Sequence, residues 1–405
     1  MGLARIQLKE VVMQTIGAKL AKNKGLGKGF DFLRVFLSLS VLLTHSYLIV
    51  LGTDGPFGAG YAKTFHDALI PMFFALSGFL ITGSATRLSL SNFLLNRGAR
   101  IVPALAMDIF ISALILGPLL TTVSLSTYFG SYEFRAYFAN LLGLIHFILP
   151  GVFESNPFPA TVNGSLWTIP FELGCYVLMS FMIVSGVISR KWKLLAFAAV
   201  IGAIIFGLRM ADFNPLTATG IELFNSDGFK TAIHHYTWPL WAHIYVYFLV
   251  GCVAFIWKEH IPYSISLFVL ALFIVVLSTG DRFGVSTDLT RLVPLVYITV
   301  FVGITEIPSV PFFDQGDYSY GIYLYGYPLQ QALVYLFPRT FSPISHFLVS
   351  GVLVTGVAWM SWHWFEKPIL RMRKKFSFTA RMTEKEAEPT VAEAPAAKAP
   401  RAAAE

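Results

Sequence analysis

Apolar positions in this chain gather into long runs. Ten of them, at about 30–50, 66–84, 100–123, 164–188, 192–209, 237–257, 262–279, 291–307, 318–337 and 344–366, approach the length of a membrane-crossing helix. Roughly 20 residues at ~1.5 Å each cover the ~30 Å hydrocarbon core of a bilayer. An eleventh run, 134–149, has 16 residues, carries Asn140 and His146, and ends in Pro150-Gly151. The pattern predicts an all-α polytopic membrane protein of about ten transmembrane helices.

Composition removes the soluble alternatives. Hydrophobic residues make up 55% of the 405 and charged residues 13%, where soluble globular chains carry about 25% charge. Seven of the charged residues precede residue 29 and 14 follow residue 366, leaving 32 over the 338 residues between. That is too little charge to cover a water-facing surface. The two cysteines, Cys175 and Cys252, sit inside apolar runs, so neither a disulfide framework nor a thiolate metal site is expected. The net charge of +7 reads as topology rather than nucleic-acid binding, because Lys and Arg collect on the cytoplasmic side. The first run has no small-residue cleavage site after it and is expected to remain as an uncleaved span.

Charge also decides the status of the eleventh run. If it crossed the membrane, the cluster Arg190, Lys191 and Lys193 would face outside. If it does not, that cluster lies inside with the N-tail, the Arg87–Arg100 loop and the C-tail, giving 23 Lys and Arg inside and 7 outside. Both termini are therefore expected in the cytoplasm. Residues 134–163 become an external re-entrant or interfacial segment, tolerable at membrane depth only where protein or water covers its backbone. Three regions result. In the N-tail, 1–29, the spacing of Leu3, Ile6, Val12, Ile16 and Leu20 suits either an amphipathic helix on the inner leaflet or a solvated tail. The transmembrane domain runs over 30–366. The tail 367–405 is basic, then rich in Ala, Pro and Glu, a composition that cannot bury a core and is expected to be disordered.

Ionisable side chains inside apolar runs are costly and mark cavities or partners. The first run holds Asp31, Arg34 and His45. Arg34 and His45 are 11 residues apart, which puts them on one helical face about 16 Å apart along the axis. A polar cavity is expected beside that face. Arg97 and Arg100, one helical turn apart before the third run, present two planar guanidinium forks suited to phosphate, and equally fit ordinary positive-inside flanking. Glu172 enters the fourth run from outside at a depth that His45 can share, and a carboxylate beside an imidazole orients it; a structural Glu bonded to a neighbouring helix is the rival. Asp108 in the third run pairs with Arg34 or Arg97, or with no partner that the sequence identifies. His234, His235 and His243 lack a carboxylate at ligand spacing, so no metal is expected.

At these residues the sequence resembles the acyltransferase-3 family of membrane O-acyltransferases. The resemblance runs through Leu33-Arg34, Thr44-His45, Pro71-Met72-Phe73-Phe74-Ala75-Leu76-Ser77-Gly78-Phe79-Leu80 and Arg97-Gly98-Ala99-Arg100-Ile101-Val102-Pro103. It continues through Ser165-Leu166-Trp167, Glu172, Ser319-Tyr320-Gly321-Ile322-Tyr323-Leu324 and Glu366-Lys367-Pro368, in the family's order over roughly residues 28–370. One position departs. Many members carry a His three residues after the Tyr that matches Tyr323, and here that residue is Gly326, so any role of that His is absent or moved.

The resemblance implies transfer of an acyl group, usually acetyl from acetyl-CoA or another acyl-CoA, to a hydroxyl of a cell-envelope or secreted glycan. By the match, His45 is the essential histidine and Arg97 and Arg100 are the paired arginines that hold the acyl-CoA, with Arg34 and Glu172 the next catalytic candidates. The implied partners are a glycan or lipid-linked saccharide acceptor and the membrane lipids, with no nucleic acid; the implied location is a bacterial inner membrane. A cytosolic nucleotide would stay at the basic inner mouth while its pantetheine arm reaches roughly 15–18 Å inward. His45 would act as general base, or as the nucleophile of a transient acyl-imidazole. The competing class is a proton-coupled transporter or flippase using the same intramembrane residues.

Overall fold

The structure is a computed structural model that describes residues 14–23, 27–211, 239–279, 285–307 and 316–376. His234, His235 and the tail beyond residue 376 lie outside the described residues. Among the described residues every regular element is helical, and strand-like pairing is confined to isolated bridges between Thr15 and Pro262 and between Thr121 and Val152.

A short helix, α1 (Ile16–Lys22), precedes the bundle. The main helices are α2 (Lys28–Leu51), α3 (Gly60–Ala85) and α4 (Leu90–Ile111), the last continued by a π turn over Ser112–Leu116. After two small helices, α5 (Leu125–Gly130) and α6 (Tyr132–Tyr137), come α7 (Ile169–Val184) and α8 (Lys191–Met210). Then follow α9 (Pro239–Ile256), α10 (Ile265–Leu277), α11 (Val285–Ile304), α12 (Ser319–Leu336) and α13 (Pro343–Ser361). A second π turn, Trp362–Glu366, leads into α14 (Lys367–Phe376).

Helices thus fall on each of the ten predicted runs, and seven are long and apolar enough to cross a membrane by length and composition. α9 and α10 have shorter apolar stretches, Ala242–Ile256 and Ile265–Leu277. α12 carries Gln330, Gln331 and five tyrosines. Large apolar side chains such as Val269 and Phe273 on α10 and Leu348 and Val352 on α13 point away from the bundle, an outer surface suited to hydrocarbon. The protein is an integral membrane protein.

Local chemistry sets the helix ends. Ser89 caps α4 by accepting from the Asn92 amide, and Ser342 and Ser345 form a reciprocal capping box ahead of Pro343 at the start of α13. α2 stops at Gly52, which takes the left-handed conformation (φ 74°) that glycine adopts without strain. Small residues then let helices meet closely. A Cβ added at Gly78 of α3 would strike the Phe248 carbonyl of α9, and one at Gly251 would strike the Ala75 carbonyl in return.

Two regions outside the bundle are tied to it. Tail helix α1 buries Ile16 and Leu20, and the Ile16 amide donates to the Ile261 carbonyl, so this part of the N-tail docks on protein. The segment 134–163 contains no helix of crossing length and folds back over the α2–α3 end of the bundle. Asn140 donates to the Tyr137 and His146 carbonyls, and Asn156 donates to Gln331 Oε1 at 2.7 Å. Gln331 in turn donates to the Phe158 and Thr161 carbonyls at 2.9 Å each. Side chains of α12 therefore satisfy the irregular backbone here, as a non-helical segment at membrane depth demands.

Candidate active site

Two cavities lie along α2, and the two ionisable residues of its inner face fall one in each. The first, of about 370 Å³, is lined by Arg34, Arg97, Arg100, Glu172, Tyr176 and Ser77 among others. The second, of about 420 Å³, is lined by His45, His66, Asp67, Trp167, Tyr327 and residues of the 134–163 segment. Two residues, Ile70 of α3 and Tyr323 of α12, belong to both linings. They form the wall at which the cavities meet.

The first cavity is cationic. Arg34 Nη1 lies 2.8 Å from Asp317 Oδ2 and 3.1 Å from Asp31 Oδ1, and Arg100 Nη2 reaches the same Asp317 oxygen at 2.5 Å. Asp317, just ahead of α12, joins arginines from α2 and α4 across the bundle. Burial pushes its carboxyl up, but the Arg100 and Arg34 charges hold it well below the usual carboxylate range. Three guanidiniums face this space, and their planar forks match the oxygens of a phosphorylated ligand.

Glu172 stands on this side as well. It accepts from the Tyr176 hydroxyl at 2.6 Å, one turn along α7, and its charged neighbours are Arg100 and Arg97. Of the two readings of Glu172, the pairing with His45 is not what the structure shows: the carboxylate and the imidazole line different cavities, because α7 turns Glu172 toward α4. Asp108 is corrected too. Its Oδ2 accepts from Asn163 Nδ2 at 2.8 Å, not from an arginine, and Asn163 also donates to the Leu324 carbonyl and accepts from the Ser165 amide. This junction fixes the turn Gly164–Thr168 against α12.

His45 is half-buried on the wall of the second cavity. The edge of its ring meets Tyr327, with centroids 4.9 Å apart and planes at 75°, and His66 lines the same cavity. Trp167 and Gly164 of the adjoining turn line the same space. Tyr323, on the dividing wall, shares a 2.9 Å hydrogen bond with Thr168 Oγ1 and donates toward the Ser165 carbonyl at 3.3 Å. At Gly326 an added Cβ would lie 2.7 Å from Leu42 Cδ1, so α2 packs closely where many family members carry a histidine. His243 lines the second cavity, and among the described residues no three His, Cys, Asp or Glu side chains gather as a metal would require.

Comparison with known proteins gives the class of reaction. A family model described as an acyltransferase domain matches residues 28–363. The chain belongs to the acyltransferase-3 family. It is similar to an O-acetyl transferase of Shigella phage Sf6, 26% identical over 345 residues that cover 84% of this chain and 95% of the relative. It is also similar to nodulation protein 10 of Rhizobium leguminosarum bv. viciae, 24% identical over 386 residues covering 88% and 97%. No solved structure matches the chain. The protein is an acyltransferase, and both cavities lie within the matched domain.

Sequence reasoning found Arg34, His45, Arg97, Arg100 and Glu172, and all five line the two cavities. It did not find Asp317, Ile70 or Tyr323 as a joining carboxylate and a dividing wall. Asp317 carried one signal, an acid at the same end of the bundle as three arginines.

Proposed function

We propose that this acyltransferase moves an acyl group, acetyl in the simplest case, from cytosolic acyl-CoA to a hydroxyl of an extracytoplasmic or lipid-linked glycan. The observation that carries the reading is the pair of cavities that share Ile70 and Tyr323, one lined by arginines and the other by His45. In this reading ten helices cross a bacterial inner membrane with both termini in the cytoplasm, and the 134–163 segment lies outside.

The polyanionic nucleotide of the donor rests against Arg97 and Arg100, with Arg34 alongside. Its pantetheine arm extends through the first cavity and delivers the thioester to the Tyr323–Ile70 wall. The acceptor hydroxyl enters the second cavity beside His45. As general base, His45 takes the hydroxyl proton while the oxygen attacks the thioester carbonyl; a C–O bond forms, the C–S bond breaks, and the CoA thiolate leaves and is reprotonated. As nucleophile, His45 would first carry the acyl group itself. Both routes need the imidazole at the boundary of the two spaces.

His45→Ala is expected to abolish acylation while the variant still inserts and binds donor. The check is mass spectrometry of envelope glycans for the loss of one acetyl mass, alongside acetyl-CoA binding by the purified variant. Undiminished acylation would remove His45 from the chemistry.

A further inference from the structure

The two cavities differ in the sign of what they present. The first is lined by three arginines and one glutamate. The second is lined by Asp54, Asp67 and Asp288 with His45, His66 and His243, and by no lysine or arginine among the described residues. Two of these carboxylates are held by cations that are not part of the lining. Lys63 Nζ lies 2.6 Å from Asp67 Oδ2, with Arg291 Nη1 at 3.8 Å, and Arg209 Nη1 lies 2.6 Å from Asp288 Oδ2. Arg209 and Arg291 side chains are 1% and 4% exposed, so they reach neither water nor the cavity.

This arrangement selects by charge. A carboxylate already paired with a cation of the protein offers fixed acceptor oxygens without demanding a counter-ion from the ligand. Hydroxyl groups are the donors that suit it. An anionic ligand would give up its water for a wall of acceptors and aromatic faces with no cation to pair with, which burial makes costly. Trp167 and Tyr323 bring aromatic surface to the same space, suited to the C–H side of a ring, and a few placed polar groups then fix its orientation.

Resting on the acyl-transfer reading above, we infer that the acceptor presents an uncharged pyranose, and that Asp67 and Asp288 hold it by accepting from hydroxyls next to the one acylated. The two aspartates are positioning residues. They act on where the sugar sits, while His45 acts on its proton. The same sorting keeps polyanionic acyl-CoA out of the second cavity.

Tandem mass spectrometry of glycans from cells with and without the protein tests the substrate class by locating the added acyl group. An acyl group on a neutral hexose, deoxyhexose or N-acetylhexosamine is the expected result. An acyl group on a uronic acid, a sialic acid, a phosphorylated sugar or a free amino sugar overturns the inference and leaves acyl transfer standing. No acyl difference at all would instead overturn the transfer reading. For the residues, Asp67→Asn is expected to raise the acceptor KM about tenfold, the scale of one lost hydrogen bond to a charged group. Acetyl-CoA binding, measured by calorimetry on the same purified protein, should stay unchanged and report that it is folded. An unchanged acceptor KM, or a change confined to the donor, overturns the assignment. Asp288→Asn leaves Arg209 buried without its partner, so Asp67, whose Lys63 is 18% exposed, is the deciding position.

Discussion

Asp317 accepts from Arg34 and Arg100 through one oxygen, so a single carboxylate sets the spacing of two guanidiniums that otherwise repel. Asp317→Asn is expected to raise the KM for acyl-CoA about tenfold, as the loss of a charge-assisted contact does, while the acceptor KM holds. Steady-state kinetics with each substrate varied in turn checks this, and a change in the acceptor KM alone would refute it. Arg34, His45 and Glu172 were legible in the sequence because a charge or an imidazole stands out in an apolar run. Asp317 was not, since it sits one residue outside the predicted run 318–337 and its worth depends on helices far apart in the chain. Glu172 shows the limit from the other side. Its partner Tyr176 is at i+4, the spacing of facing neighbours on a helix, but the choice between that face and His45 depends on how α7 is rotated, and periodicity does not fix rotation.

At the scale of elements, run length placed every main helix, because chain buried in hydrocarbon must satisfy its own backbone. The shortness of 134–149 likewise marked a segment that holds no helix of crossing length. Its path was not legible, for it is drawn by particular side-chain amides: Asn140 bonds a carbonyl within the segment, and Asn156 and Gln331 bond carbonyls far along the chain. The close contact of α3 on α9 rests on Gly78 and Gly251. Gly78→Val is expected to destabilise the protein by about 1–3 kcal/mol, the scale of forced overpacking, seen as a lower Tm in detergent. A Tm equal to the parent's would show that the helices separate there without cost. The two π turns, Ser112–Leu116 and Trp362–Glu366, were also invisible to periodicity. The second places Glu366 to accept from Ser361 Oγ at 2.8 Å, with Ser361 bonded to the Tyr325 hydroxyl at 2.7 Å. A π turn often marks a functional position, and here it docks the Glu366-Lys367-Pro368 motif on α12.

For the whole molecule, the imbalance of Lys and Arg predicts an orientation. A green fluorescent reporter fused after residue 405 is expected to fluoresce, and an alkaline phosphatase fused there to stay inactive; the reverse pattern would invert the assignment of the two cavities to their compartments. In the proposed orientation the cationic cavity faces the metabolic side and the aspartate-lined one the environment. Between them stand Ile70 and Tyr323, a partition one side chain thick. Without it the two voids would join into a continuous aqueous duct, and the ion gradient that powers the cell would leak away through an enzyme. Trimming both residues to alanine is therefore expected to collapse the membrane potential of expressing cells, read with a voltage-sensitive dye. In the proposed reaction that partition would let two carbons cross the barrier as a covalent hand-over while the membrane stays electrically closed.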